Sequence, residues 1–254
     1  MTDEHIVPFA LGGRIILPNA SCAKCAEVTK SITGMIARSI YGNLRVRLGI
    51  QSRRKSKRPS AFPMTIDRPD GTQREIMVPA NIWPRVYPVL VLKQASIVSG
   101  LEPDTYEVEI RGEHSDVDVL YSRGLVSREE KVSFTSIMQA RMFCRQLAQI
   151  AHAICVAELG FEDYQPLLIP LIFDNDTPSQ VPFSLIGSVS PENQLNSQIA
   201  LDAINIRGVY YISCRFAMPN LGWKFPTYQI LSGLIPDDAS VERIRSKTAF
   251  AHNV

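Results

Sequence analysis

Hydrophobic residues in the first fifty positions follow two different spacings. Two short apolar segments come first, at His5–Phe9 and Arg14–Leu17. The paired glycines between them, Gly12 and Gly13, allow the positive φ values of a tight reversal, so this region predicts a β-hairpin. Apolar residues at three- and four-residue spacing then predict a helix from about Cys22 to the mid-forties. Its apolar face consists of Ile32, Met35, Ile36, Ile40 and Leu44.

The chain beyond residue 61 has the pattern of β-strands before and after one long helix. The helix is predicted by apolar residues from Ile137 to Ile154 at helical spacing, with Gly160 just past its end. Because strands and helices do not alternate regularly, the fold class predicted is α+β. Strands are predicted at Met64–Asp67, Arg74–Val78, Val89–Lys93, Tyr106–Arg111, Val117–Tyr121, Leu168–Phe173, Ala200–Arg207, Val209–Phe216 and Tyr228–Leu231.

Between these two regions, Gln51–Pro59 is a run of Ser, Arg and Lys that ends in proline. Such a segment has nothing to bury and repels itself, which is typical of an exposed linker. We therefore predict three parts: a small ββα unit at residues 1–50, a basic linker at 51–61, and a larger mixed α+β domain at 62–254 with one long central helix. Nothing in the third part indicates a reaction.

The overall composition is that of a globular protein, with 254 residues, 45% hydrophobic and 20% charged. No apolar run approaches the roughly 18 residues that a membrane span requires. The acidic first residues do not resemble a secretory signal, so we expect a cytoplasmic protein without a membrane partner. The sequence contains no glycine-rich nucleotide-binding loop, and we expect no small-molecule cofactor.

The net charge of +2 conceals an uneven distribution of charge. Nine of the 27 basic side chains, and none of the 25 acidic ones, lie between Glu27 and Asp67. A positively charged helix and loop attract phosphates through counterion release, which predicts binding to DNA without sequence preference. The alternative is a solvated loop with no partner. The residues that we expect to contact DNA are Arg45, Arg47, Arg53, Arg54, Lys55, Lys57 and Arg58.

The residues with candidate chemistry lie close to the start of the chain. An acid and a histidine, Glu4 and His5, occur on the first predicted strand, and Asn19 follows the second one. Cys22 and Cys25 then form a CxxC at the beginning of the predicted helix. This order can bring a base and a metal together on a ββα unit. The other three cysteines, Cys144, Cys155 and Cys214, have apolar neighbours and are expected in the core.

The segment EHIVPFALGGRIILPNASCAKCA resembles the HNH endonuclease family in its zinc-ribbon-bearing form. The resemblance covers roughly residues 3 to 30 and includes the acid-His pair, the paired glycines, the asparagine and the second CxxC. It implies a metal-dependent endonuclease that hydrolyses DNA phosphodiester bonds. In that assignment His5 is the general base, Asn19 orients the imidazole, and Glu4 binds one catalytic Mg²⁺ or Mn²⁺ ion.

Two departures from the family pattern affect this assignment. The His or Asn that the family carries directly after the second CxxC cysteine is replaced by Ala26, so the cation would depend on Glu4 with Asp3 or Glu27. The family's first CxxC would lie ahead of Met1, and Cys22 and Cys25 are only half of a structural Zn²⁺ site. The alternatives are therefore a catalytically degenerate HNH-derived protein that binds nucleic acid or regulates, or an unrelated activity in residues 62–254.

Overall fold

The computed structural model describes residues 1–39, 41–51, 58–103, 106–111, 114–133, 139–174, 176–178, 180–189, 199–217 and 226–248. Its helices and strands are mixed along the chain, which confirms the α+β class. The strands are β1 Thr2–His5, β2 Ile16–Ser21, β3 Ala61–Asp67, β4 Gln73–Pro79, β5 Tyr87–Leu92, β6 Tyr106–Arg111, β7 Lys131–Ser133, β8 Gln165–Pro166, β9 Ile186–Ser188, β10 Ile199–Ile206, β11 Val209–Phe216 and β12 Tyr228–Ile235.

The helices are more variable in length than the strands. A short 3₁₀ helix spans Phe9–Leu11 between the first two strands. The α-helices are α1 Ala23–Ser39, α2 Gly42–Arg47, α3 Ser96–Ser99, α4 His114–Ser122, α5 Ala140–Leu159, α6 Ile169–Phe173, α7 Val181–Leu185 and α8 Asp238–Thr248. Within the described ranges, no helix is long and apolar enough to cross a membrane.

In the described part of the chain, antiparallel pairing joins the strands into four sheets. The largest has the order β10-β11-β12-β8, with β9 also paired to β12. A second sheet has the order β4-β3-β7, and the pairs β1-β2 and β5-β6 stand as two-stranded ribbons. The hairpin between β10 and β11 turns at Arg207 and Gly208, which both have positive φ.

The long helix α5 packs against the largest sheet and organises the main core. Its buried residues include Phe143, whose ring meets that of Tyr228 edge-on at 5.4 Å between centroids. The Tyr228 hydroxyl donates a 2.7 Å hydrogen bond to the carbonyl oxygen of Leu90. One aromatic pair therefore ties α5, β12 and β5 together, and the hydroxyl is satisfied although it is buried.

The same core extends to the beginning of the chain. Ile6, Ile32 and Ile36 belong to the same buried cluster as the core residues of α5. Helix α1 packs against α5 and α6. A separate, smaller cluster lies between β3, β4 and α4 and includes Trp83 and Leu120. The predicted division into residues 1–50, 51–61 and 62–254 stays a prediction, but the packing joins the first of these ranges closely to α5.

The structure corrects two predicted strands. Val117–Tyr121 lies in α4, where Asp116 and Leu120 are buried one helical turn apart. Leu168–Phe173 lies mostly in α6, which has Pro170 in its first turn, where the missing N–H costs no hydrogen bond. Both segments are short and largely apolar, and over so few residues periodicity alone does not distinguish a strand from a helix.

The predicted N-terminal helix is also divided. Helix α1 ends at Ser39 and α2 begins at Gly42, while Ile40 lies outside the described residues. Glycine is a poor helix former in the interior of a helix, so Gly42 marks the interruption. The predicted strand His5–Phe9 overlaps β1 only at His5, and its end lies in the 3₁₀ helix. The other predicted strands and the long helix are found with boundaries that match or differ by a few residues.

Candidate functional site

A cavity of about 400 Å³ lies where β1, α1 and α5 meet. Strand β1 contributes Glu4 and His5 to its lining, and α1 contributes Ala26. The long helix of the main core contributes Gln149. The acid-His pair singled out in the sequence is therefore inside a cavity, and residues from distant parts of the chain form its other side.

The hairpin places β1 through close backbone packing. Glu4 and His5 are paired with Leu17 and Ile16 of β2. Gly12, at the end of the 3₁₀ helix, has a φ of 95°. A side chain on Gly13 would overlap the Val7 carbonyl oxygen, so only glycine fits there. The paired glycines thus allow the chain to reverse tightly next to His5.

Glu4 is held by a side chain that the sequence analysis did not predict. The hydroxyl of Thr29 lies 3.2 Å from Glu4 Oε1 and 3.1 Å from the carbonyl oxygen of Ala26. Thr29 is buried on α1, and Glu4 is partly buried. A hydrogen bond from a buried hydroxyl restricts the orientation of the carboxylate and leaves its second oxygen for another partner.

His5 is restricted by an aromatic neighbour. Its ring lies 5.6 Å from that of Phe9, at an angle of 57° between the planes. Both residues line the cavity, and both are partly buried. The imidazole is therefore accessible from the cavity while one side of it is covered by an apolar ring.

One face of α1 borders the cavity along more than two turns. The lining residues recur on it at three- and four-residue spacing, which is the spacing of a single helical face. They are Ala26, Thr29, Lys30, Thr33 and Gly34, and all but Lys30 have small side chains. The buried Ile32 and Ile36 lie on the neighbouring face of the helix, next to Thr29. The small side chains leave the space that the cavity occupies.

Asn19 is placed beside the cavity rather than in its lining. It is exposed on β2, with a φ of 51°, and its backbone N–H donates a 3.0 Å hydrogen bond to Asp3 Oδ1. Asp3 itself lines the cavity, whereas Glu27 does not. The structure therefore brings Glu4, His5 and Asp3 together, and it connects Asn19 to them through Asp3.

Cys22 and Cys25 lie at the beginning of α1, outside the cavity lining. The Cys25 backbone N–H lies 3.4 Å from Cys22 Sγ and donates to it, which lowers the pKa of Cys22. The side-chain hydrogen bond with Cys22 raises the pKa of Cys25. The remaining three cysteines are buried, as predicted, so among the described residues this pair has no further thiols to complete a tetrahedral zinc site.

Three of the seven basic residues predicted to contact DNA lie in the described part of the chain, and each donates a hydrogen bond to a backbone carbonyl oxygen. Arg47 Nε donates to the Trp83 carbonyl oxygen at 3.0 Å, and Arg58 donates to that of Val46 at 2.6 Å. Arg45 donates to the carbonyl oxygen of Ala37, and it is the member of this set that lines the cavity. The other predicted DNA contacts, Arg53, Arg54, Lys55 and Lys57, lie outside the described residues.

Thr29, Lys30 and Gln149 are among the lining residues that sequence reasoning missed. The first two could have been found from their spacing relative to Ala26 on one face of α1. Gln149 belongs to a helix more than a hundred residues further along the chain, and no local pattern connects it with β1.

Comparisons with known proteins give no match. No protein-family model matches the chain, and no curated protein and no solved structure is significantly similar to it. Inferences about function therefore depend on the geometry of the cavity and on the sequence motif.

Proposed function

We propose that this protein is an HNH-type endonuclease that hydrolyses DNA phosphodiester bonds with one divalent metal ion and His5 as general base. The observation that carries the proposal is the common cavity of Glu4, His5 and Ala26. These are the positions at which the resemblance expects the metal-binding acid, the base and the third signature residue. Their presence in one cavity supports the position-by-position alignment of this segment with the HNH motif.

The roles of the side chains follow from their chemistry. A neutral imidazole can accept a proton from a water molecule that attacks phosphorus, which is the role of His5. Phe9 covers one side of the ring and limits its orientations. The hydrogen bond from Thr29 holds the Glu4 carboxylate in the cavity. Asn19 acts indirectly, because its backbone N–H holds Asp3.

A Mg²⁺ or Mn²⁺ ion fits this donor set with a small number of protein ligands. The described residues contain no group of three or more His, Cys, Asp or Glu side chains arranged to hold a metal ion. Mg²⁺ commonly uses one or two carboxylates together with waters and substrate phosphates. Glu4, with Asp3 nearby, meets that requirement. The ion would neutralise charge on the phosphate and the departing oxygen.

The test is nicking of supercoiled plasmid by the full chain in Mg²⁺ or Mn²⁺. Glu4→Gln and His5→Ala should each abolish nicking. Glu27→Gln, the same isosteric change on an exposed α1 residue outside the cavity, should not affect it. Wild-type protein that never nicks with any divalent ion, or Glu4→Gln protein that nicks normally, would contradict the proposal.

A catalytically degenerate nucleic-acid-binding protein is the second candidate. The observation that favours it is Ala26, whose methyl group occupies the position of the third signature residue in the cavity. This candidate predicts DNA binding that weakens steeply with salt and no cleavage under conditions where the protein is folded. Binding measured by fluorescence anisotropy at several salt concentrations, beside the nicking assay, separates the two candidates.

A further inference from the structure

The cavity lining also carries cationic and amide groups that the proposed catalytic roles do not use. Lys30 comes from α1, Arg45 from α2 and Gln149 from α5, and all three line the same cavity. The acidic residues Asp3 and Glu4 come from β1. The cavity lining therefore combines carboxylates from one strand with hydrogen-bond donors from three helices.

Arg45 is the most unusual of these donors. Its Nη1 donates to the Ala37 carbonyl oxygen at 3.2 Å, but its Nε is buried without a hydrogen-bond partner. Among the residues that the structure describes, Arg45 forms no ion pair with a carboxylate. Burial, together with the charge of Arg58, lowers the pKa of Arg45. A bound anion would offset this cost.

Gln149 adds a neutral donor that is held in place. Its side chain is 9% exposed, and its Oε1 accepts a 3.3 Å hydrogen bond from Gln146 Nε2. With the amide in this orientation, the NH₂ group of Gln149 is a donor. Among the described residues it has no acceptor. Amide NH₂ groups and guanidinium groups both donate to phosphate oxygens.

We infer that Lys30, Arg45 and Gln149 form a subsite that binds a phosphodiester group of the nucleic-acid backbone, in the same cavity as the acid-His pair. The inference deepens the proposed function and rests on it for the identity of the polymer. It also means that α5, in the main body of the protein, helps to position the substrate. Phosphodiester binding can be measured without cleavage, so the two proposals can fail separately.

The experiment is an NMR titration of the full chain with dimethyl phosphate, without divalent ions, following the ring signals of His5. The signals should shift with saturation, and inorganic phosphate should compete. Arg45→Gln and Gln149→Met should each weaken binding about tenfold, because each removes a donor to a charged acceptor. Lys30→Gln, at an exposed position, should weaken it about twofold.

Arg38→Gln is the matched control, since Arg38 is an exposed α1 cation outside the cavity lining. It should leave dimethyl phosphate affinity unchanged. Melting temperatures show whether Gln149→Met is folded, and Lys30→Gln and Arg45→Gln provide the test if it is not. Absence of any His5 shift, binding of inorganic phosphate alone, or equal weakening by Arg38→Gln would overturn the inference. Dimethyl phosphate binding by a protein that never nicks DNA would overturn only the proposed function.

Discussion

The hydroxyl of Thr29 on α1 lies 3.2 Å from Oε1 of Glu4 on β1, and this contact joins the N-terminal hairpin to the helix at the edge of the cavity. Thr29 is buried and Glu4 is partly buried, so the hydrogen bond is partly shielded from water. Substitution of a group that orients a metal ligand typically lowers metal affinity or activity about ten- to a hundredfold. Thr29 is therefore a positioning residue for the proposed metal site.

Thr29→Val keeps the shape of the side chain and removes the hydroxyl. We expect the Mn²⁺ concentration for half-maximal plasmid nicking to rise by about ten- to a hundredfold, the range for outer-shell substitutions. The control is Thr33→Val, the same change one turn along the cavity face of α1. An unchanged metal requirement in Thr29→Val would show that the hydrogen bond does not position Glu4.

Ala26→His should improve metal binding, because it places an imidazole in the cavity at the position of the family's third signature residue. We expect half-maximal nicking at about tenfold less Mn²⁺, which corresponds to about 1.4 kcal/mol of added binding. Ala23→His makes the same change at an exposed α1 position outside the lining and should have no effect. Equal metal requirements for both variants would argue against the alignment of Ala26 with the third signature residue.

Gly13→Ala should destabilise the protein, because the added methyl group would overlap the backbone of Val7. Overpacking of this kind typically costs about 1–3 kcal/mol. The control is Gly42→Ala at the start of α2, where a methyl group would have an ordinary contact of 3.9 Å with the Ala37 carbonyl oxygen. Chemical denaturation measures both changes. Equal stability of the two variants would contradict the steric explanation.

Acid should weaken the ion pair between Arg74 on β4 and Glu130, which directly precedes β7 in the three-stranded sheet. Arg74 donates to both oxygens of Glu130, at 2.8 and 2.9 Å, and the Ser127 backbone N–H also donates to it. These bonds lower the pKa of Glu130 from 4.5 to about 2. A carboxylate with a lowered pKa in the folded state stabilises the fold above its unfolded pKa, and the contribution is lost as the pH falls through the folded value.

Glu130→Gln should therefore lower the free energy of unfolding at neutral pH, and the difference from wild type should shrink between pH 4.5 and about 2. Glu129→Gln, at the neighbouring exposed position, should show no such dependence. Urea denaturation across this pH range measures both variants. A difference that stays constant with pH would mean that Glu130 acts through packing rather than through its charge.

The five cysteines should separate into two reactivity classes. Burial raises the pKa of Cys144 and Cys155 to about 12, and it also raises that of Cys214. Only the thiolate reacts readily, so a thiol reagent at pH 7.5 should modify Cys22 first. Cys22→Ser should remove the fast phase. Cys25→Ser should retain it, because the backbone N–H that donates to Cys22 remains. Fast modification of a core cysteine would contradict this order.

Strong local patterns allowed much of the fold to be predicted. The hairpin of β10 and β11 combines sustained apolar residues with a glycine at the turn, and β11 was predicted with its observed boundaries, Val209–Phe216. Short apolar segments were less informative. Periodicity alone does not distinguish a strand from a helix at Leu168–Phe173. In the folded protein most of this segment is a helix that packs against α5.

The candidate site was predicted only where its residues are neighbours in the sequence. Glu4 and His5 belong to one motif, and the structure places both in the cavity. The contact of Thr29 with Glu4 depends on how the hairpin meets α1, and the position of Gln149 depends on how α1 meets α5. Both are results of tertiary packing, which the spacing of residues along the chain does not encode.

The long helix α5 connects ligand binding in the cavity to the stability of the largest sheet. Gln149 lines the cavity, while the adjacent Ile150 is fully buried in the core that includes β12. A ligand that binds only the folded state stabilises every segment that must open when its site is lost. Amide hydrogens of β12 should therefore exchange with solvent more slowly when a ligand occupies the cavity. Because no described residue of β12 lines the cavity, hydrogen exchange in this strand would report ligand binding at a distance.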